Sequence, residues 1–526
     1  MTRANDEKPE PPGAHPTAPP ASDWDFASIA QLTDALRSRT ISASELLEHV
    51  IARIEVADAR LNAIVVRDFE RARAAAKAAD AALATTPALG DARPLTGIPV
   101  TLKEPFNIVG LPTTWGFPQF RDCMPTEDAL VVSRLKAAGA VVIGKTNIPI
   151  GLRDFQSYND IYGTANNPWD LGRTPGGSSG GSAASLAAGL EALSIGSDIG
   201  GSVRVPAHFC GIHAHKPTLG LIPLRGYSFP PGAPAVPGGG DLGVAGPMAR
   251  HASDLALALD VIAGPDEMRD GIGYRLALPA PRHDDLKGFR VLVIDTHPLM
   301  PTGNAVRTAI TGLAERLAKL GAKVAEHNVL LPNLAESARL YMKLLNAARS
   351  PRLAPDAFAE AQRRAAALSP DDHSLQAERT RGTVMSHRDW LAAERARGTV
   401  MSHRDWLAAD AARAQIQQQW RALFRDWDVV LYPAASVPAF PHDHSEPIED
   451  RQLDIDGKPH PYLDACFIWA DPASTCGLPA TAAPIGTSAT GLPIGVQIIG
   501  PYLEDRTTIA FAELLEREFG GFVPPP

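Results

Sequence analysis

The chain has 526 residues, 45% of them hydrophobic, and a formal net charge of −9 from 50 basic and 59 acidic side chains. That length supports a large core, as one large domain or several ordinary ones, while the acidic balance gives no support to nucleic-acid or anionic-membrane binding. Four cysteines (Cys123, Cys210, Cys466 and Cys476) form neither a CxxC pair nor a zinc spacing, so buried thiols in a reducing compartment are expected rather than a disulfide framework.

Residues 1–22 are proline-rich, of mixed charge and without the apolar core of a signal peptide, so they read as a disordered tail. No window has the apolar length of a membrane span, and the expected location is the bacterial cytoplasm. From Trp24 onward, SIAQLTDALRSRT and SASELLEHVIARIEVADARLN carry helical spacing, with Ser42 as N-cap and Glu45 completing a capping box. LTGIPVTLKEPF holds a β-rich run entering a loop at Glu104-Pro105. DALVVSRLKAAGAVVIGKTN reads as helix then strand, broken at Gly139. The alanine-rich stretch up to Leu190 predicts a buried helix. ALSIGSDIGGSVRVP and FRVLVIDT predict buried strands, with ASDLALALDVIAG as a helix between them. Two helices are expected after Pro301, then strands at WDVVLYPAA and GLPIGVQIIG, and a last helix at DRTTIAFAELLEREFG. Strands alternating with helices favour an α/β core with helices on both faces. No linker divides it, so one catalytic-sized domain over 23–515 is expected, with a tail at 516–526.

RGTVMSHRDWLAA occurs at 381–393 and again at 397–409, a tandem duplication of period 16 within 377–409. On one straight helix, 16 residues leave a phase error of about 160°, so Trp390 and Trp406 would face nearly opposite ways. Two short copies do not make a solenoid. His387 and His403 read as surface residues of the duplicate rather than a metal pair. One copy is expected to pack on the domain and the other to lie at its surface.

The chemistry concentrates in two glycine–serine clusters, TPGGSSGGSA (174–183) and SDIGGSVR (197–204). Both lead into apolar sequence, which suggests backbone shaped around a ligand rather than two plain surface loops. The first lacks the Gly-Lys-Ser/Thr ending of a phosphate loop. GGSSG also matches the G-x-S-x-G elbow, yet His208, His213 and His215 lie too close downstream to serve as its base. A nucleophilic serine needs a base and nearby amides. Ser202 has Gly200 and Gly201 beside it, and Lys103, in the mostly apolar GIPVTLK run, is an unusual base: desolvation disfavours its charged form. Taken alone, such a lysine is more often a paired or snorkelling surface residue.

PGGSSGGSAASLAAG followed by GSDIGGSVRVPAHFCGIHAHKPTLG resembles the amidase signature family, serine hydrolases with a Ser–cis-Ser–Lys triad. GIPVTLKEPFN, GAVVIGKTNIP, NNPWD, GPMAR and GLPIGVQIIG extend the resemblance over most of residues 27–515. It implies a single α/β domain with a twisted mixed sheet flanked by helices on both faces. It also implies Lys103 as the catalytic lysine, Ser178 as the cis-serine and Ser202 as the acylated nucleophile. The amides of Ile199, Gly200, Gly201 and Ser202 would form the oxyanion hole, braced by Ser179, Asp198 and Arg204. The bond between Gly177 and Ser178, or its neighbour, would be cis. Glu104 stands where many members carry aspartate, and the duplicate has no counterpart in the family.

The resemblance implies an enzyme hydrolysing amide bonds, including aryl amides or carbamates, with no metal or organic cofactor. A small-molecule amide is the expected partner, no nucleic acid or membrane is, and a homodimer is allowed. Two rivals stand beside this reading: the A subunit of a tRNA-dependent amidotransferase, and a non-catalytic scaffold that keeps the fold. Overall acidity and RDFQSYNDIYG (153–163) favour a stand-alone amidase, and the intact Lys103, Ser178 and Ser202 argue against the scaffold. Trp115, Phe155, Tyr158, Ile199, Phe440 and Trp469 are the substrate-pocket candidates, each with an alternative role as an ordinary core aromatic or aliphatic residue.

Overall fold

The computed structural model describes residues 22–85, 93–229, 231, 241–350, 353, 355–385 and 404–526. The expectations for residues 1–21 and for His387, Trp390 and His403 therefore lie outside the described residues. Among these, the main-sheet strands are β1 (Ile64–Arg67), β2 (Pro99–Lys103), β3 (Val141–Thr146), β6 (Leu193–Asp198), β7 (His213–Lys216), β8 (Val244–Ala249), β9 (Arg290–Val293), β10 (Lys323–Ala325), β11 (Val429–Pro433), β14 (Ala480–Thr487) and β15 (Pro493–Ile499). Two small hairpins, β4/β5 (Tyr158–Asn159, Gly163–Thr164) and β12/β13 (Gln452–Ile455, Lys458–Pro461), stand apart.

The sheet order is β1-β3-β2-β6-β8-β7-β14-β15-β11-β9-β10. It is mixed: β3, β2 and β6 run parallel, as do β11, β9 and β10, and the centre is antiparallel. Helices flank both faces of this single large α/β domain. The residues of β2, β3 and β6 are buried throughout, polar ones included, so none of these strands shows the burial alternation of a half-exposed strand.

The predicted N-terminal helices form at Ile29–Arg37 and Ala43–Leu61. The Ser42–Glu45 capping box closes as the sequence dictates, and Ser28 with Gln31 makes a second one. The alanine-rich helix Gly180–Ala187 is buried along its whole length, a packing that only small residues permit: a Cβ on Gly181 would lie 2.4 Å from Asn147 N.

Between Pro301 and Trp427 the structure holds more than the two helices expected. Asn304–Leu320, Leu334–Arg349, Pro355–Ala366 and Leu375–Thr383 are helical, and Arg404–Asp426 precedes β11. β10 separates the first two. Asn333 and Ser374 start new helices as N-caps, so local capping divides what periodicity alone runs together. The C-terminal helix, Asp505–Phe519, runs past residue 515. Its Glu516 accepts from His251 and from the Ala252 amide, and Phe522 packs on Phe26. Physically, that ties the segment after 515 into the domain. Cys210, Cys466 and Cys476 are buried free thiols, and Cys123 is a partly exposed one. Among the described residues no helix is long and apolar enough to cross a membrane.

Candidate active site

Parallel neighbours deliver their carboxyl ends to the same edge of a sheet. Lys103 is the last residue of β2, Asp198 the last of β6 and Thr146 the last of β3, with Leu102 opposite Ile195 and Lys103 opposite Thr146. The sequence separations of these residues collapse at that edge. Lys103 is fully buried, and its Nζ donates to Ser178 Oγ at 2.7 Å, to Ser197 Oγ at 2.9 Å and to Ser197 O at 3.3 Å.

Ser178 follows a cis Gly177–Ser178 peptide bond and is 2% exposed. Gly177 has no room for a side chain, since a Cβ would lie 2.3 Å from Asp154 O. Gly176 takes φ +93°, a conformation open to glycine. Ser157 Oγ spans this turn, donating to Gly176 O at 3.0 Å and accepting from Gly180 N–H at 3.1 Å. Ser179 links the two clusters: its amide donates to Ser202 O at 3.1 Å, and its hydroxyl donates to Ser197 O at 3.3 Å.

The second turn is organised by a buried ion pair. Arg204 Nη2 and Nε donate to the two Asp198 oxygens at 2.8 and 3.0 Å, and Arg204 reaches on to Gln497, Ser474 and Ala470 O. Burial pushes the Asp198 carboxyl up, but the Arg204 charge and hydrogen bonds, the Gly201 amide and the Lys216 charge outweigh it and hold it at about 2. The carboxylate also accepts from Gly201 N–H at 2.8 Å and Val203 N–H at 3.1 Å. This departs from the expected oxyanion hole: the Gly201 amide is spent on Asp198. Among the described residues the amides of Ile199, Gly200 and Ser202 have no acceptor. Ser202 itself is 7% exposed.

Glu104, beside Lys103, holds another segment: its carboxylate accepts from the Thr114 amide and hydroxyl and from the Trp115 amide. Glu104 also faces buried Lys145, whose ammonium is pushed down to about 8 by burial, against the opposing pull of that carboxylate.

The pocket candidates divide. Phe155 meets Phe467 edge-on at 4.8 Å and lies beside the 198–204 turn, 3.8 Å from where a Gly201 Cβ would sit. Trp115 packs on Tyr227 and Phe229. Trp469 is a core residue, with Nε1 donating to Ser436 Oγ at 2.7 Å and the ring against Tyr432. At 0–2% exposure, Phe155, Trp115 and Trp469 present almost no surface to a substrate in this conformation. Tyr158 and Phe440 are partly exposed. The first stacks on His444 and accepts from Arg451, and the second packs on Phe209 and Tyr462.

Sequence reasoning missed Ser197, which holds Lys103 and hydrogen-bonds Tyr227 Oη at 2.7 Å, and Tyr341, which donates to Ile199 O at 3.2 Å. Ser197 is adjacent to Asp198 in a motif already singled out, and its place on β6 opposite β2 was the available signal. Tyr341 lies in a distant helix and carries none. Among the described residues no cluster of histidine, cysteine and carboxylate side chains could hold a metal ion.

A buried lysine bonded to a serine, beside a second glycine–serine turn at the edge of a mixed α/β sheet, fits a class of protein, the amidase-type hydrolases. The amidase family profile matches residues 45–509, and the chain belongs to the amidase signature family. It is 34% identical over 515 residues to the A subunit of the glutamyl-tRNA(Gln) amidotransferase of Anaeromyxobacter sp. (strain K), covering 96% of this chain and 99% of that one. It is 30% identical to fatty-acid amide hydrolase 2-A of Danio rerio, covering 95% and 90%. The crystal structure of an amidase superposes with a TM-score of 0.70 at 27% identity, covering 94% of this chain and all of that one.

Proposed function

We propose that the chain hydrolyses a carbon–nitrogen amide bond through an acyl-enzyme on Ser202, with Ser178 and Lys103 as its proton relay. The observation that carries this is the 2.7 Å bond between buried Lys103 Nζ and Ser178 Oγ, next to a turn whose Ile199, Gly200 and Ser202 amides have no acceptor among the described residues. In the reacting form the lysine is an amine, which can accept as well as donate. Ser178 passes its proton to Lys103 and takes the one from Ser202, whose oxygen bonds to the substrate carbonyl carbon. The carbonyl oxygen becomes an anion facing the turn. Collapse breaks the C–N bond, and the relay run backwards protonates the departing nitrogen. Water then attacks the ester, its proton passes to the relay and on to Ser202, and a carboxylic acid leaves.

The substrate class we assign is a small amide, with aryl amides and carbamates included. A second reading, the A subunit of a tRNA-dependent amidotransferase, is supported by the 34% identity to a protein of that kind along nearly the whole chain. One assay separates them: purified chain against a panel of amides, anilides, carbamates and esters, without partner, ATP or tRNA, beside Ser202→Ala. The stand-alone reading expects turnover that the variant loses. No turnover on any member, or equal turnover by the variant, overturns it.

A further inference from the structure

The turn that follows β6 is held from outside at two places. Asp198 takes the amides of Gly201 and Val203, as described. The other anchor comes from a helix far along the chain: Tyr341, in Leu334–Arg349, donates from Oη to Ile199 O at 3.2 Å. Tyr341 is fully buried, and burial raises its phenol above the ordinary tyrosine range, so it stays protonated and remains a donor.

The bonded oxygen belongs to the Ile199–Gly200 peptide unit, which is trans. In a planar trans peptide the C=O and the following N–H point in opposite directions. Anchoring Ile199 O on Tyr341 therefore aims Gly200 N–H away from Tyr341, and that N–H has no acceptor among the described residues. The turn is also pressed close to its anchor. A Cβ on Gly200 would sit 2.8 Å from both Tyr341 Oη and Phe467 Cε1, so no other residue fits there without displacing the rings.

We propose that Tyr341 is a positioning residue for the reaction: by holding Ile199 O it fixes the peptide whose Gly200 N–H meets the oxyanion formed when Ser202 attacks. This rests on the amide-hydrolase reading above. No proton moves through Tyr341. Its hydrogen bond polarises the peptide as well as orienting it, because bonded amides in a low-dielectric site strengthen one another. A tyrosine that merely filled space between its helix and Phe467 would matter for stability and be indifferent to charge on the substrate oxygen.

The test compares wild type with Tyr341→Phe, which keeps the ring. Losing an oxyanion donor outright costs about 10²–10³ in kcat, and losing its alignment should cost roughly tenfold, with KM little changed. The probe is a trifluoromethyl ketone matched to the best panel substrate, since its adduct on Ser202 places an oxyanion on the turn. Its affinity should fall by the same factor as kcat, while the affinity for the unreactive alcohol of the same skeleton should hold. Tyr341→Met, also without the hydroxyl, gives the same comparison if the phenylalanine variant does not fold. A folded variant with wild-type kcat and ketone affinity overturns the proposal, as does equal weakening of ketone and alcohol. Wild type that neither turns over the panel nor binds the ketone would overturn the hydrolase reading itself, with Tyr341 intact.

Discussion

Two glycine–serine turns meet at the carboxyl ends of β2 and β6, and they are held by opposite means. The 176–180 turn is held by neutral bonds: Ser157 Oγ spans it, Thr174 Oγ1 accepts from Gly176 N–H, and Asn147 O accepts from Gly181 N–H. The 198–204 turn is built on the buried Asp198–Arg204 pair, both partners at 1% exposure. The difference follows from what each turn must present. The first presents a hydroxyl to a lysine, and neutral bonds suffice to shape it. On the proposed mechanism the second must keep amide hydrogens available to a forming anion, and a carboxylate that accepts from Gly201 and Val203 fixes the turn while the Ile199, Gly200 and Ser202 amides have no acceptor among the described residues. On that mechanism a bare carboxylate there would oppose the oxyanion, and Arg204 pairs with it.

The largest contrast should come from Arg204→Met. It leaves a buried carboxylate without its counter-charge, a change that costs about 3–5 kcal/mol in comparable buried pairs. The pH dependence should also change sign. In the intact protein Asp198 sits at about 2, against an ordinary value of 3.8. Its contribution to stability is therefore complete above about pH 4 and lost as pH falls towards 2. In the variant, burial dominates and the folded carboxyl lies above the unfolded one, so ionised Asp198 costs stability at neutral pH and protonation relieves it. Urea midpoints of both proteins between pH 7 and pH 4 should converge as pH falls. A gap constant across that range would contradict the assignment.

Ser157→Ala sharpens the comparison from the other side. It removes one hydroxyl and leaves Gly176 O and Gly180 N–H unpaired, so a loss of about 1–3 kcal/mol is expected. No carboxylate is exposed to the change, and the shape of the pH–stability curve should stay that of the parent. If Ser157→Ala proved as destabilising as Arg204→Met, neutral bonding would not describe the first turn.

The residues of the proposed triad were legible in sequence because a family's residues sit in long ordered motifs. The strands ending at Lys103, Thr146 and Asp198 were legible from their short clusters of Val, Leu and Ile, such as Val100 and Leu102, Val141 to Ile143, and Leu193 and Ile195. What was lost depends on contacts between distant parts of the chain. Gly201 and its neighbours look alike as glycine and serine amides. Only the fold shows that Asp198 takes the Gly201 amide. Ser197 matters because β6 lies beside β2, and Tyr341 because its helix lands on Ile199 O. Of the aromatic pocket candidates, Trp469, Trp115 and Phe155 are buried in packing that depends on distant parts of the chain, which a sequence does not display. The helices between Pro301 and Trp427 were under-read because their N-caps interrupt a periodicity that reads as continuous.

The central claim is that Ser202, presented by the charged-pair turn, is the group that becomes acylated, with Ser178 as its relay. It is tested most directly by treating the purified chain with a fluorophosphonate, measuring intact mass and mapping the modified peptide. The account predicts one adduct, located on Ser202 and absent from Ser202→Ala. A single adduct on Ser178 in the unmutated chain would reverse the roles of the two turns and contradict it.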